Sequence, residues 1–196
     1  LGENWGMGWT GTAYQETSVG NTAALAVGFG ILMMFLILAA QYESWSLPLA
    51  VLTATPFAFF GAIGGIMMRS LEVSVYVEIG ILVVVGLAAK NAILSVEFAE
   101  LQRREFGKSI REAAVIAAEL RFRPIIMTSL AFILGTIPLA LATGASDTSS
   151  HHIGTAVSVG VGSVAIIGSC FVPTFYAMIA SISDWLARKR GVSEAH

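Results

Sequence analysis

The sequence predicts an all-α membrane protein with five transmembrane helices. Of its 196 residues, 56% are hydrophobic and only 12% are charged, whereas a soluble domain carries about 25% charged residues. Five stretches are also long and apolar enough to cross a bilayer, which needs about 20 residues each. Backbone groups in lipid must find hydrogen-bond partners within their own segment, so these stretches are predicted to be helices.

The composition excludes several function classes. A formal net charge of −2 argues against a nucleic-acid binder, and a single cysteine, Cys170, excludes a disulfide scaffold or a cysteine-based zinc site. No motif of a hydrolase, metalloprotease or nucleotide-binding loop occurs. We therefore predict no enzyme, no cofactor and no metal, and we interpret Asp147, His151 and His152 as part of a solvated loop. Any transport would draw on an ion gradient.

Residues 1–20 are predicted to end a domain outside the membrane. Trp5, Trp9 and Tyr14 are interleaved with Gly and Thr, as in a short strand. A lone strand is not stable, so its partners are expected to lie in another segment. The chain begins at Leu1 and its first residues carry no basic signal region. We therefore expect a fragment of a longer polypeptide.

The transmembrane domain is predicted over residues 21–184, followed by a cytoplasmic tail at 185–196. Ser109 and Glu112 have the spacing of a capping box, which predicts a separate cytoplasmic amphipathic helix at 109–119. The five predicted spans are 22–40, 47–68, 75–99, 124–142 and 153–182.

Basic residues predict the orientation of the chain. By the positive-inside rule, the side rich in Lys and Arg faces the cytoplasm. The opposite side holds only Arg69. The N-terminus is therefore predicted outside and the C-terminus inside. The basic residues on the predicted cytoplasmic side are Arg103, Arg104, Lys108, Arg111, Arg121, Arg123, Arg188, Lys189 and Arg190.

Lys90 is the most informative residue, because it lies deep in the third predicted span. A charge at that depth costs on the order of 3 kcal/mol and usually marks an ion pathway or a proton relay. The end of the span is about 15 Å away at 1.5 Å per residue, too far for a lysine to reach. Glu97 shares its face but lies about 10 Å further along, and Glu78 is about 18 Å away. The carboxylate partner of Lys90 is therefore expected outside this chain.

Three further residues are candidates for the same site. Asn91 follows Lys90 and is expected to donate to a neighbouring helix. Thr128, in the fourth span, either bonds to its own helix carbonyls or joins Lys90. Arg121 either anchors the helix at the membrane interface or lines a proton exit. The sequence leaves both alternatives open.

Three motifs resemble the C-terminal end of resistance–nodulation–division (AcrB-type) multidrug efflux pumps, inner-membrane transporters. The motifs occur in the same order and spacing as in that family, and the resemblance covers nearly the whole chain. They are YESWSLPLAV at 42–51, GLAAKNAILSVEFA at 86–99 and RFRPIIMTSLAFILGTIPL at 121–139.

The resemblance implies a role for each candidate residue. Lys90 would be the lysine that pairs with two aspartates on a helix of the family's N-terminal half, which this chain lacks. Thr128 and Arg121 would belong to the same proton relay. The five spans would be the last five of twelve in a homotrimer of the bacterial inner membrane. That trimer works with a periplasmic adaptor and an outer-membrane channel, and it exchanges protons for hydrophobic or amphiphilic drugs.

Two other functions remain open from the sequence. One is a lipid- or protein-export relative of the same superfamily. The other is a structural membrane scaffold without transport. A scaffold has no use for a costly charge at mid-membrane, so Lys90 distinguishes the scaffold from the two transporters.

Overall fold

The computed structural model describes residues 10–11, 14, 22–142 and 148–189. Within these ranges every regular element is a helix, and five helical segments are long and apolar enough to span a membrane. The predicted all-α class with five spans is confirmed. The strand predicted in residues 1–20 lies almost wholly outside the described residues, as does the end of the predicted tail.

The helices run in antiparallel succession, and two of the five spans are interrupted. The second span consists of α2 and α3, and the fifth consists of α6, a π-helical turn and α7. The helices are α1 (Thr22–Tyr42), α2 (Ser46–Leu52), α3 (Thr55–Met68), α4 (Val75–Phe106), α5 (Ile110–Ala140), α6 (Thr148–Ser163) and α7 (Ser169–Lys189), and the π-helical turn is Val164–Gly168.

Pro56 explains the break in the second span. Proline has no N–H, so Pro56 cannot donate to the carbonyl of Leu52 one turn earlier. The helix ends at Leu52, Thr53 caps it by donating its hydroxyl to the carbonyl of Ala50 at 2.6 Å, and a new helix begins with proline in its first turn. Proline is well suited to that position.

A tight turn reverses the chain between α4 and α5. Gly107 ends α4 with φ of 61°, a left-handed conformation that favours glycine. Ser109 and Glu112 form the predicted capping box, in which each side chain bonds the other residue's backbone N–H. Because the turn is so short, α4 and α5 lie side by side and antiparallel.

The structure does not contain a separate cytoplasmic helix at 109–119. Residues 110–140 form one continuous helix, so the predicted amphipathic segment is the first third of α5. The physical reason is that Glu119 to Arg123 contains no residue that stops a helix. Pro124, the first residue of the predicted span 124–142, lies instead inside α5, where the helix continues past it.

Close helix contacts at glycines hold the bundle together. A side chain at Gly61 or Gly154 would collide with Ser163 or with the backbone of Ala140, respectively. At Gly65 an added Cβ would lie 2.6 Å from Val159 Cβ. These glycines therefore serve packing, because small residues let membrane helices approach closely.

Candidate functional site

Helix α4 has one face buried in the bundle and one face uncovered. Every residue of the uncovered face follows the previous one by three or four positions, which is the spacing of a single helix stripe. We call this face the open stripe; it consists of Ile79, Val83, Gly86, Lys90, Leu94, Glu97 and Leu101, all exposed. The opposite face carries the buried residues Val77, Ile81, Val84, Ala88, Ala92, Ser95 and Ala99.

Lys90 lies at the middle of the open stripe. Its side chain is exposed and makes no hydrogen bond or ion pair with any residue that the structure describes. An ammonium at this depth needs a charged or hydrogen-bonding partner. The open stripe is therefore the surface on which such a partner would have to lie.

A contact between α4 and α5 sets the relative height of Lys90 and Thr128. The guanidinium of Arg121 lies over the ring of Phe98, with 5.0 Å between Arg121 Cζ and the ring centroid. Lys90 precedes Phe98 by eight residues and Thr128 follows Arg121 by seven. In antiparallel helices rising 1.5 Å per residue, this contact places the two at the same level to within about one helix turn.

Thr128 uses its hydroxyl on its own helix. The hydroxyl donates to the carbonyls of Pro124, at 3.0 Å, and Ile125, at 3.1 Å. Of the two alternatives left open by the sequence, the structure shows back-bonding, and it does not bring the hydroxyl onto Lys90. Thr128 is nevertheless exposed, so its side chain remains accessible from outside the bundle.

Asn91 points away from the open stripe into the bundle. It is half-buried and lines a small gap together with Ile125 of α5 and Ser169 of α7. Ser95, one turn later, donates its hydroxyl to the Asn91 backbone carbonyl at 2.9 Å. The expected hydrogen bond from the Asn91 amide to another helix does not occur within the described part of the chain.

Arg69 organises one end of the bundle, which sequence reasoning missed. Its guanidinium donates to the carbonyl of Ala140 and to the Thr155 hydroxyl, both at 2.8 Å, and contacts His151 Nε2 at 2.7 Å. These contacts join the end of α3 to the end of α5 and the start of α6. One signal in the sequence could have revealed this role. Arg69 is the single basic residue on the side of the predicted spans that otherwise carries no Lys or Arg.

The two histidines are not in a solvated loop. Both lie in the first turns of α6, and His152 is 7% exposed. His152 Nδ1 is 2.8 Å from the hydroxyl of Ser74, at the start of α4. The prediction of a solvated loop is wrong for these residues, because α6 begins before them and packs them against the α3–α4 connection.

Polar contacts at the other end join α4 to α7. Arg103 donates to both carboxylate oxygens of Asp184 at 2.8 Å. Buried Tyr176 donates its hydroxyl to Glu100 at 2.7 Å, and Glu100 also accepts from Arg104. The end of α4 and the end of α7 therefore lie on the same side of the bundle, opposite Arg69.

These features define a class: a multi-pass α-helical membrane protein with an intramembrane lysine on an uncovered helix face. The chain belongs to the AcrB/AcrD/AcrF family, whose family model matches residues 1–180.

Curated relatives of this chain are efflux transporters. It is 42% identical to the solvent-resistant pump membrane transporter SrpB of Pseudomonas putida over 94% of its own length. It is 45% identical to the toluene efflux pump membrane transporter TtgB of Pseudomonas putida over 90%, and 42% identical to the multidrug resistance protein MdtF of Escherichia coli over 89%. The chain covers 18%, 17% and 17% of these three proteins, respectively.

Proposed function

We propose that this chain forms part of the membrane domain of a proton-driven efflux transporter and carries its relay lysine. The observation that carries the proposal is Lys90, which lies in the middle of an uncovered helix face and has no hydrogen-bond or ion-pair partner among the described residues. Family membership supports it, since the curated relatives named above are efflux pumps. The remainder of the polypeptide would supply the helix that covers the open stripe.

In this proposal two aspartates on the covering helix pair with Lys90. When a proton neutralises them, the attraction that holds the ammonium is lost. Lys90 then moves toward Thr128, which lies at the same height, and the helices shift together. A change of one proton thereby selects between two helix arrangements. Arg121, below them over the Phe98 ring, would line the path to the cytoplasm, and Asn91 would support α4 from the inside.

The proposed setting is the bacterial inner membrane. The end with Arg103 and Asp184 would face the cytoplasm and the end with Arg69 the periplasm, following the distribution of basic residues. The transporter would act as a homotrimer with a periplasmic adaptor and an outer-membrane channel. Its substrates would be hydrophobic or amphiphilic drugs and solvents, in line with the names of the relatives.

The test is efflux by the intact transporter that contains these residues. We expect Lys90→Ala to abolish efflux of a fluorescent amphiphilic dye while expression and trimer assembly stay normal, because only the charge pair is lost. Cys170→Ala is the matched control, since this residue lies on α7, away from the open stripe, and should leave efflux unchanged. Near-normal efflux by Lys90→Ala at normal expression would contradict the proposal.

The 196-residue chain expressed alone provides a second test. It contains the relay lysine without the aspartates that would take up protons, so it should not move drugs. Drug susceptibility of a host lacking related pumps should be the same with and without the chain. Resistance conferred by these residues alone would show that the relay needs no partner helix.

A further inference from the structure

Glu97 is a second charged residue on the open stripe, and it has no part in the proposed relay of Lys90 and Thr128. Seven residues separate it from Lys90, so the two differ by about 20° around the helix axis and about 10 Å along it. Its side chain is exposed and makes no hydrogen bond or ion pair with a described residue. Both groups therefore face the same uncovered surface.

Along α4, Glu97 lies between Lys90 and the polar end of the bundle. The next residue, Phe98, is covered by Arg121, and the carboxylate and guanidinium groups of Glu100 and Arg103 follow. Between Lys90 and Glu97 the helix carries only Asn, Ala, Ile, Leu, Ser and Val. Glu97 is thus the first titratable group that a proton leaving the Lys90 level would meet on α4.

The nearby carboxylate of Glu100 already has two hydrogen-bond partners. It accepts from Tyr176 and Arg104, at 2.7 and 2.8 Å, respectively. Glu97 has no such partner among the described residues. The phenol of Tyr42, at the end of α1, is close enough to interact electrostatically with Glu97. Within the described part of the chain, the exposed carboxylate of Glu97 is therefore left open to water on the open stripe.

We propose that Glu97 receives the proton that leaves the carboxylic acids paired with Lys90 and passes it to the cytoplasmic end. The inference rests on the proposed function. Because about 10 Å is too long for direct transfer, water molecules between the open stripe and its covering helix would bridge the two groups. The covering carboxylic acid loses the proton, Glu97 becomes neutral, and release to cytoplasmic water restores its charge.

The experiment uses the intact transporter in proteoliposomes with an imposed pH gradient. Glu97→Gln should lower substrate-coupled proton flux at least tenfold, while the Kd for the dye and trimer assembly stay unchanged. Glu97→Ala should show the same loss, and azide, a small diffusible proton carrier, should restore its flux. Glu105→Gln is the matched control. Glu105 is also exposed on α4, but it lies beyond Glu100 and Arg103 at the polar end of the bundle.

The outcomes separate this inference from the proposed function. Loss in Lys90→Ala with flux within twofold of normal in Glu97→Gln would overturn only the role of Glu97. Normal flux in both variants would overturn the proposed function as well. Azide rescue absent from Glu97→Ala, or failure of both Glu97 variants to assemble, would make Glu97 a structural residue and end the proposal.

Discussion

The two faces of helix α4 differ in how closely other helices approach them. On the buried face small residues let other helices come close: a Cβ added at Gly80 would lie 2.9 Å from Ala156 Cβ. On the open stripe a glycine of the same helix, Gly86, has no neighbouring atom within 4 Å of where its Cβ would be. Lys90 and Glu97 both lie on this open face.

This contrast separates packing from function within one helix. Helices α3 and α5 and the two halves of the fifth span pack against the buried face. Its residues need only have the size and shape that this packing requires. The open stripe combines apolar side chains, a small residue and two charges, a pattern with a high cost in lipid. Such a face is stable only when a second protein surface covers it.

The largest effect on stability is expected from a matched pair of glycines. Gly80→Leu should lower the free energy of unfolding of the 196-residue chain in detergent by about 2–3 kcal/mol, because the new side chain overpacks the contact with α6. Gly86→Leu should leave it unchanged or raise it by up to about 1 kcal/mol, since leucine is the better helix former. Denaturant titration followed by circular dichroism measures both.

The same pair tests whether the open stripe is covered. In the intact transporter Gly86→Leu should impair assembly or efflux, because the leucine would meet the covering helix. Equal stability of the two variants in the isolated chain would contradict the difference between the faces. Full assembly and efflux by Gly86→Leu would argue that no helix packs closely there.

A smaller effect is expected at the end of the bundle held by Arg69. Arg69→Ala should lower the free energy of unfolding by about 1–2 kcal/mol, because the carbonyl of Ala140 and the Thr155 hydroxyl lose a charged donor. Arg104→Ala is the control, since its exposed pair with Glu100 is worth less than about 0.5 kcal/mol. Thermal unfolding of both variants should show the larger shift for Arg69→Ala, and the reverse order would count against the network.

The smallest effect distinguishes two threonines of α5. The Thr136 hydroxyl lies 2.9 Å from the Ser158 hydroxyl of α6, whereas the Thr128 hydroxyl bonds only its own helix. Thr136→Val should cost about 0.6 kcal/mol, a typical value for a hydrogen bond between membrane helices. Thr128→Val should cost less in the isolated chain, although the proposed relay would suffer. A larger loss of stability in Thr128→Val would show that its surroundings differ from those described.

Local signals in the sequence were sufficient to predict the helices, and they made Lys90 a candidate site residue. Apolar length predicted the five spans, and the capping box at Ser109 is present as expected. Lys90 stood out because a charge is rare at that depth. Proline positions alone did not predict the breaks: Pro56 interrupts its span, whereas Pro124 and Pro138 both lie inside the continuous helix α5.

Neighbours distant in sequence could not be predicted in this way. Nothing near Arg69 in the sequence indicates that it would bond to Ala140 and Thr155, which are 71 and 86 residues away. The burial of His152 against Ser74 likewise depends on how α6 packs against the α3–α4 connection. Such contacts are set by helix packing, which the order of apolar and polar residues does not specify.

The sequence by itself determined that this chain is a helical membrane protein with a lysine at mid-depth, because hydrophobic length and the cost of a buried charge are properties of single segments. Only the tertiary structure decided which face of α4 is covered and which is open. That choice depends on where α3, α5 and α6 lie around α4, and their small residues fix it through close contacts. Those contacts leave Lys90 and Glu97 on one uncovered surface.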